Sequence, residues 1–261
     1  MDRNRLNRFI VATVAALTVA GACAAIAVAA SIVGTDGPDQ LTGTPAKDRI
    51  TALAGDDTVA ARAGNDKVDA GDGNDGVRGG RGNDRLIGGL GDDTLAGGQG
   101  VDKVRGLDGI DTLSAAAGPD FVGGGLGNDV IDGGEGNDFT AGGQGDDKLF
   151  GQAGNDSIFA NLGVDESFGG DGNDDMWALA RGDVDPVTVP DTIGDTLHGE
   201  AGNDTFHVRD GEQDTVDCGL GQDKVLADTL DVVGTDCESV TRAEPKPGED
   251  SEEGQAEEET G

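Results

Sequence analysis

The sequence predicts an all-β fold, a solenoid of parallel strands built from short repeats with two repeats in each coil. Three observations predict it. A nine-residue period runs without a gap over residues 34–177, each repeat has an aspartate at its sixth position, and an apolar residue usually follows two positions later. Two repeats make one coil of 18 residues, so the loops alternate between two edges of the solenoid.

The 16 repeats keep four positions in register. Position 6 is Asp in every repeat, from Asp39 to Asp174, and position 4 is Gly in all but one, where Ala46 stands. Position 1 is always Gly or Ala, and position 8 is apolar except at Thr140 and Ser167. An acidic disordered chain or a halophilic surface would scatter its acids without this order. Both alternatives are therefore excluded for this region.

The composition also argues against an ordinary globular protein. The chain has 261 residues, 48 of them Gly, and only 35% are apolar and 3% aromatic. It has 52 Asp and Glu against 18 Lys and Arg, a formal charge of −34 that would push a compact chain apart unless cations neutralise it. The negative charge of the chain argues against nucleic acid as a partner, because contacts to phosphates need clustered Lys and Arg.

Each repeat divides into a six-residue loop and a three-residue strand. Because side chains alternate along a strand, the middle residue of each strand points inward, as we expect for Leu86, Leu95 and Val104. Glycines at positions 1, 2 and 4 allow the sharp bends of the loop.

The spacing of the aspartates predicts a calcium site between coils. Asp84 should stack with Asp102 at one edge, and Asp93 with Asp111 at the other, about 4.8 Å apart. Carboxylates this close repel one another unless a cation lies between them. Ca²⁺ accepts 6–8 oxygen ligands at about 2.3–2.6 Å in adaptable geometry, whereas Mg²⁺ requires a tighter octahedron. No cluster of Cys and His favours zinc.

The repeats resemble the repeats-in-toxin (RTX, haemolysin-type) family of calcium-binding nonapeptide repeats, whose pattern is G-G-x-G-x-D-x-U-x with a large apolar U. The best matches are GGRGNDRLI, GGLGDDTLA, GGLGNDVID and GGQGDDKLF. The resemblance implies a right-handed parallel β-roll in which position-6 carboxylates and loop carbonyls of two stacked turns share each ion. Eight repeats on each edge leave at most seven gaps per edge, hence at most 14 ions.

The candidate calcium ligands are the position-6 aspartates and three aspartates of later repeats: Asp39, Asp48, Asp57, Asp66, Asp75, Asp84, Asp93, Asp102, Asp111, Asp120, Asp129, Asp138, Asp147, Asp156, Asp165, Asp174, Asp204, Asp214 and Asp223. The first repeats match the family pattern least well, since units two to four lack Gly at position 2. Their loops are expected to bind calcium weakly or to cap the solenoid.

The repeat is interrupted after Trp177. Residues 178–198 are predicted to be an irregular loop and an imperfect repeat, and 199–242 further repeats with a closing cap at 227–240. The cap resembles the C-terminal turns of secreted calcium-binding repeat proteins of actinobacterial type, which carry a similar cysteine pair. Cys218 and Cys237 are accordingly expected to form a disulfide, which export favours; two buried thiols are the alternative.

The two ends of the chain differ from the repeats. Three arginines precede an apolar run from Phe9 to Ala30, so residues 1–30 are predicted to be an export signal. A retained membrane anchor and a lipoprotein signal at Cys23 are the alternatives. Residues 243–261 are predicted to be an acidic disordered tail.

The function predicted is that of an exported protein, extracellular or at the cell surface, which folds on binding several Ca²⁺ ions and has a structural role. Its partners would be calcium ions and a cell-envelope component that the sequence does not identify, with the membrane contacted only through an uncleaved N-terminal segment. A secreted calcium buffer is the alternative, and a hydrolase using residues 178–210 a third possibility. No catalytic site is predicted, because the only two histidines, His198 and His207, are expected outside the solenoid at opposite edges.

Overall fold

The computed structural model describes residues 28–178 and 194–243, and each regular element in those ranges is a β-strand. Successive strands alternate between two parallel sheets that enclose one core, so each pair of strands completes a coil. The all-β solenoid predicted from the sequence is therefore confirmed. In these ranges no helix has the length and apolar character needed to span a membrane.

Sheet A contains the odd-numbered strands β1 Ser31–Val33, β3 Arg49–Ala54, β5 Lys67–Asp72, β7 Arg85–Leu90, β9 Lys103–Asp108, β11 Phe121–Leu126, β13 Phe139–Gln144, β15 Ser157–Leu162, β17 Asp175–Trp177, β19 Thr205–Val208, β21 Lys224–Ala227 and β23 Ser239–Arg242. Sheet B contains the even-numbered strands β2 Gln40–Thr42, β4 Thr58–Ala63, β6 Gly76–Arg81, β8 Thr94–Gln99, β10 Thr112–Ala117, β12 Val130–Glu135, β14 Lys148–Ala153, β16 Glu166–Asp171, β18 Thr196–Ala201, β20 Thr215–Asp217 and β22 Val232–Val233.

The strands of the regular array are longer than predicted. Strand β7 covers positions 7–9 of one repeat and positions 1–3 of the next, six residues in all. It pairs with β9 through the three predicted strand residues and again through Gly89 and Leu90, whereas Gly88 lies outside the paired positions. Gly89 has φ +134°, which bends the chain and returns it to the ladder. Only positions 4–6 are left to form the turn.

The core is a narrow column between the sheets. The position-8 residues point inward as predicted, with Leu86, Leu95 and Val104 at most 1% exposed. Position 1 is also buried, which explains why only Gly or Ala occurs there. The two polar exceptions at position 8, Thr140 and Ser167, are buried with hydroxyls that have no hydrogen-bond partner. These hydroxyls weaken the core locally.

The solenoid continues beyond the interruption after β17. Strand β16 pairs with β18 and β17 with β19, so both sheets carry on in register after residues 179–193, which lie outside the described residues. The predicted closing cap contains β22 and part of β23, which pair in parallel with β20 and β21. Most of the predicted export segment (1–30) and acidic tail (243–261) also lies outside the described residues, which include only residues 28–30 and 243 of the two segments.

Candidate metal centre

Two columns of acidic side chains run along the solenoid, one at each edge, because every turn places its position-6 residue directly above that of the previous coil. The first acidic column consists of Asp39, Asp57, Asp75, Asp93, Asp111, Asp129, Asp147, Asp165, Asp195, Asp214 and Asp231. The second acidic column consists of Asp48, Asp66, Asp84, Asp102, Asp120, Asp138, Asp156, Asp174, Asp204, Asp223 and Glu238.

A backbone hydrogen bond joins each acidic residue to the coil before it. The N–H of Asp84 donates to Oδ1 of Asp102 over 2.7 Å, and the N–H of Asp102 donates to Oδ1 of Asp120 over 2.6 Å. Asp93 and Asp111 are joined in the same way at the other edge. The stacking predicted from two repeats per coil is confirmed. One oxygen of each carboxylate thus helps to hold the coils together.

The second carboxylate oxygen has no such partner. Oδ2 is buried without a hydrogen bond in most members of both columns: Asp57, Asp66, Asp75, Asp84, Asp93, Asp102, Asp111, Asp120, Asp129, Asp138, Asp147, Asp156, Asp174, Asp204, Asp214 and Asp223. A buried charged oxygen without a partner is costly, and native proteins rarely leave one so. A row of such oxygens therefore indicates that cations bind along the column.

The environment disfavours the charged form of these carboxyls. Burial raises the pKa of Asp84 to about 6 and that of Asp93 to about 7, and the neighbouring carboxylates of the same column add to both increases. The backbone N–H of the preceding coil opposes the shift in each case. A divalent cation would reverse this balance, because it stabilises the ionised carboxylates that burial destabilises.

Main-chain oxygens lie close to the unpartnered carboxylate oxygens. A methyl group built on Gly79 would lie 2.5 Å from Oδ2 of Asp84 and 2.6 Å from the carbonyl oxygen of Gly97 in the next coil. Position 1 therefore borders a space lined by oxygens from two coils. Carboxylate and carbonyl oxygens are the ligands that Ca²⁺ prefers, so the residues present fit this ion.

Carbonyl ligands are required as well as carboxylates. In residues 28–178 and 194–243, no three side chains of His, Cys, Asp or Glu come together as a metal-binding group. An ion between two coils would therefore take carboxylates from two stacked aspartates and the rest of its ligands from the loop backbone. This donor set excludes a zinc site of the usual Cys and His type.

The first aspartate of each column differs from the others. Oδ2 of Asp39 accepts hydrogen bonds from the backbone N–H of Thr35 at 2.6 Å and from its hydroxyl at 2.9 Å. Oδ2 of Asp48 accepts the backbone N–H of Thr44. Both threonines stand at position 2, where the later loops mostly have Gly. These two predicted ligands are thus satisfied by the protein itself.

The columns also contain acidic residues that were not predicted as ligands. Oδ1 of Asp195 accepts the N–H of Asp165 at 2.9 Å, and Oε2 of Glu238 accepts that of Asp223 at 2.9 Å. Asp195 is the sixth residue of the imperfect repeat PDTIGDTLH, so its position was a usable signal. Glu238 follows an irregular loop and has no such signal. All 19 predicted aspartates lie in the two columns.

The cysteine pair borders the end of the second acidic column, and the histidines lie on the two sheets. Cys218 and Cys237 form a disulfide with their α-carbons 5.2 Å apart, as predicted. His198 and His207 lie on different sheets rather than at the two edges, and each contacts one aspartate: Nδ1 of His198 is 3.5 Å from Asp217, and Nε2 of His207 is 3.2 Å from Asp175. The histidines therefore do not share a site.

The fold and the oxygen-lined columns define a calcium-binding solenoid of the nonapeptide type. The family model for the RTX calcium-binding nonapeptide repeat (4 copies) matches residues 33–68, 42–77, 69–104, 105–139, 141–176 and 194–225. The chain belongs to this family. No match was found among curated proteins.

Proposed function

We propose that this calcium-binding repeat protein is exported and that it folds when Ca²⁺ occupies the gaps along its two acidic columns. Its role would be structural, outside the cell or at the cell surface. The row of buried Oδ2 atoms without hydrogen-bond partners carries the proposal. It means that the folded state holds many negative charges that only an added cation can compensate.

Folding and calcium binding would be coupled for an energetic reason. The position-8 side chains form only a narrow core, and the chain has a formal charge of −34. Ordering each residue costs about 1–2 kcal/mol of backbone entropy, which so small a core compensates poorly. Because ions bind only between stacked coils, their binding free energy adds to that of folding. The upper limit of 14 ions in the regular array is part of this proposal.

Export is supported by two features of the chain. Residues 1–30 have the basic start and apolar centre of a signal, and the Cys218–Cys237 disulfide suits an oxidising compartment. Fractionation of the producing cells, with mass spectrometry of the N-terminus, tests this part. Recovery of the reduced, uncleaved chain in the cytoplasm would contradict it.

A non-catalytic role is also part of the proposal. The two histidines lie on opposite sheets and each faces a single aspartate, so they cannot act together on one substrate. The aspartates of the columns are engaged through Oδ1 with the backbone. A screen for hydrolase activity in saturating Ca²⁺ that shows turnover above buffer would contradict this part.

A calcium titration of the metal-free chain tests coupled folding directly. Circular dichroism should change from a disordered to a β-sheet spectrum as Ca²⁺ is added, and isothermal titration should count around 12–16 ions. Mg²⁺ at the same concentration should produce little folding, since its octahedral geometry fits the gaps poorly. A β-sheet spectrum that is already complete in excess chelator, or a count of two or three ions, would refute the proposal.

A secreted calcium buffer would pass the same titration, so location must separate the two roles. Cells washed in Ca²⁺ should retain the protein and release it in chelator if it serves at the surface. Equal release under both conditions would favour the buffer.

A further inference from the structure

Four cationic side chains form a column on the outer face of sheet A. They are the position-7 residues of four consecutive strands, and the pairing places Arg49 beside Lys67, Lys67 beside Arg85, and Arg85 beside Lys103. Neighbouring strands lie about 4.8 Å apart, so this basic ladder presents one cation per coil in a straight line along the solenoid axis.

The described residues provide no ion-pair partner for the basic ladder. Arg49, Arg85 and Lys103 are exposed, Lys67 is half-buried, and none of the four has an ion-pair partner within the described part of the chain. The one acid beside it at position 9 is Asp69, whereas Arg105 adds a fifth cation. Like charges in direct register across a sheet destabilise it. The arrangement therefore suits an external anion.

The repeat itself does not require these cations. On sheet B the same position-7 column over the same coils consists of Thr58, Gly76, Thr94 and Thr112, none of them charged. Both sheets have the same backbone arrangement and the same row of buried position-8 residues. The fold is therefore compatible with charged or uncharged residues at position 7. The basic ladder is a property of one face only, in a chain where acids outnumber bases by 52 to 18.

The position-7 column continues with Phe121 and Phe139, and the row of aromatic rings then passes to Phe159 and Trp177 at position 9. The ammonium group of Lys103 lies 5.3 Å from the centre of the Phe121 ring, and Phe121 contacts Phe139 at 5.6 Å. Phe139 then contacts Phe159 at 4.7 Å, which stacks on Trp177 at 4.4 Å. Phe121 is exposed and Phe139 is half-buried, whereas Phe159 and Trp177 are buried. The exposed surface of this face is therefore cationic at its N-terminal end and aromatic at the next two rungs.

We propose that the basic ladder binds a linear anionic polysaccharide laid along the solenoid axis. A single exposed ion pair changes affinity by a factor of only about one to five, so a small anion would bind weakly to any one rung. A polymer with repeated charges engages all four rungs at once, and the later contacts become intramolecular. Phe121 and Phe139, the accessible rings beyond Lys103, would contact the uncharged faces of sugar rings.

Nucleic acid fits this strip less well. Duplex DNA carries one negative charge per about 1.7 Å of its axis, several times the density of the rungs, and its excess charge would face the acidic remainder of the protein. A polysaccharide with about one charge per sugar matches the rungs more closely. The proposal goes beyond calcium binding and applies to the folded, calcium-loaded protein.

Binding to dextran sulfate, with uncharged dextran as the matched control, tests the proposal. In saturating Ca²⁺ the protein should bind dextran sulfate but not dextran, with an affinity that falls as salt rises. The ladder variant R49Q/K67Q/R85Q/K103Q should bind at least about tenfold more weakly. The control variant R62Q/R78Q/R81Q removes three charges from sheet B over the same coils, and should change affinity less than about threefold.

The design separates this proposal from simpler explanations. Circular dichroism in Ca²⁺ establishes that each variant folds. If the ladder variant does not fold, the milder K67Q/K103Q variant replaces it, and we expect this variant to lose an intermediate amount of affinity. Equal losses in the ladder and control variants would mean that net charge alone acts, and would overturn the proposal. Unchanged binding in the ladder variant, as expected if Ca²⁺ bridges the polymer to surface acids, would also overturn it. Tighter binding of duplex DNA than of dextran sulfate would exclude a polysaccharide as the preferred partner.

Discussion

The two oxygens of each repeated aspartate have different roles. Oδ1 of Asp102 accepts a backbone N–H from the preceding coil, which links the two coils in the folded state. Oδ2 of the same residue is buried without a hydrogen-bond partner. Only Oδ2 is available to ligate a cation, so a substitution can separate the two roles.

Asp102→Asn should therefore remove calcium binding in the gaps beside residue 102 while keeping the link between coils. Its amide carbonyl replaces Oδ1, and its NH₂ group, which cannot ligate Ca²⁺, replaces Oδ2. We expect Asp102→Asn to lower the number of bound ions by one or two, because the residue borders a gap on either side. Isothermal titration with Ca²⁺ measures the change.

Asp39→Asn is the matched control at the start of the other column. Oδ2 of Asp39 already accepts two hydrogen bonds from Thr35. The amide carbonyl can accept both hydrogen bonds in place of Oδ2, so the substitution should cost only about 1 kcal/mol, for exchanging a charged for a neutral acceptor, and leave the ion count unchanged. Equal ion losses in the two variants would contradict the distinction between the first aspartate and the rest.

At the scale of strands and turns, glycine acts where coils approach most closely. Gly98 stands at position 2 with φ +123°, and a methyl group there would overlap the carbonyl oxygen of Gly80 in the coil before it. Gly123, in contrast, stands on the outer face of sheet A, and a methyl group there meets no atom within 4 Å. The repeat positions predict that Gly98 bends the chain, but not that its α-carbon packs against the carbonyl of the neighbouring coil.

Gly98→Ala should therefore destabilise the folded protein, whereas Gly123→Ala should not. The first combines a left-handed backbone with a clash against backbone, for which we expect a loss above about 1 kcal/mol. The second should be neutral or stabilise by up to about 1 kcal/mol, since Ala restricts the unfolded chain. Denaturant unfolding in saturating Ca²⁺ measures both, and equal effects would contradict the role given to the stacked carbonyl.

The repeat period made most of the fold and site predictable. Alternation along a strand places Leu86 and its equivalents inside, and two repeats per coil place Asp84 on Asp102 because the two residues are 18 apart. The length of the strands was not predictable, since the pairing at positions 2 and 3 depends on the neighbouring coil.

Contacts made where the chain departs from the nine-residue period could not be predicted either. The N–H of Asp165 donates to Asp195, 30 residues later instead of 18, because an insertion separates the two coils. The backbone donors of Thr35 and Thr44, which satisfy the first aspartates, come from loops that depart from the repeat pattern. These contacts occur where the chain departs from the shared repeat pattern, so the period alone does not predict them.

For the whole molecule, protons and calcium ions are alternative ways to neutralise the same columns. Burial, reinforced by neighbouring carboxylates, raises the pKa of Asp93, Asp120 and Asp147 to about 7 in the folded chain, from a usual value of 3.8. The folded state therefore binds protons that the unfolded chain releases between about pH 4 and 7. Without calcium, stability must rise as the pH falls through this window and decline as it rises.

Acidification should consequently promote folding of the metal-free chain. In Ca²⁺-free buffer, the β-sheet signal in circular dichroism should grow as the pH is lowered from about 7.5 to 4.5, while at pH 7.5 the same signal should require Ca²⁺. In the presence of limiting Ca²⁺ the direction of the pH dependence reverses, because protons displace the ion from the carboxylates.

Sedimentation at each pH ensures that the signal comes from monomer rather than from aggregates formed as the charge falls. The variant D93N/D120N/D147N, which removes three of the carboxyls with the highest pKa values in the regular array, should show a shallower pH dependence without calcium. A β-sheet signal in the monomer that is lost on acidification, or a variant as steep as the wild type, would show that these columns do not govern folding.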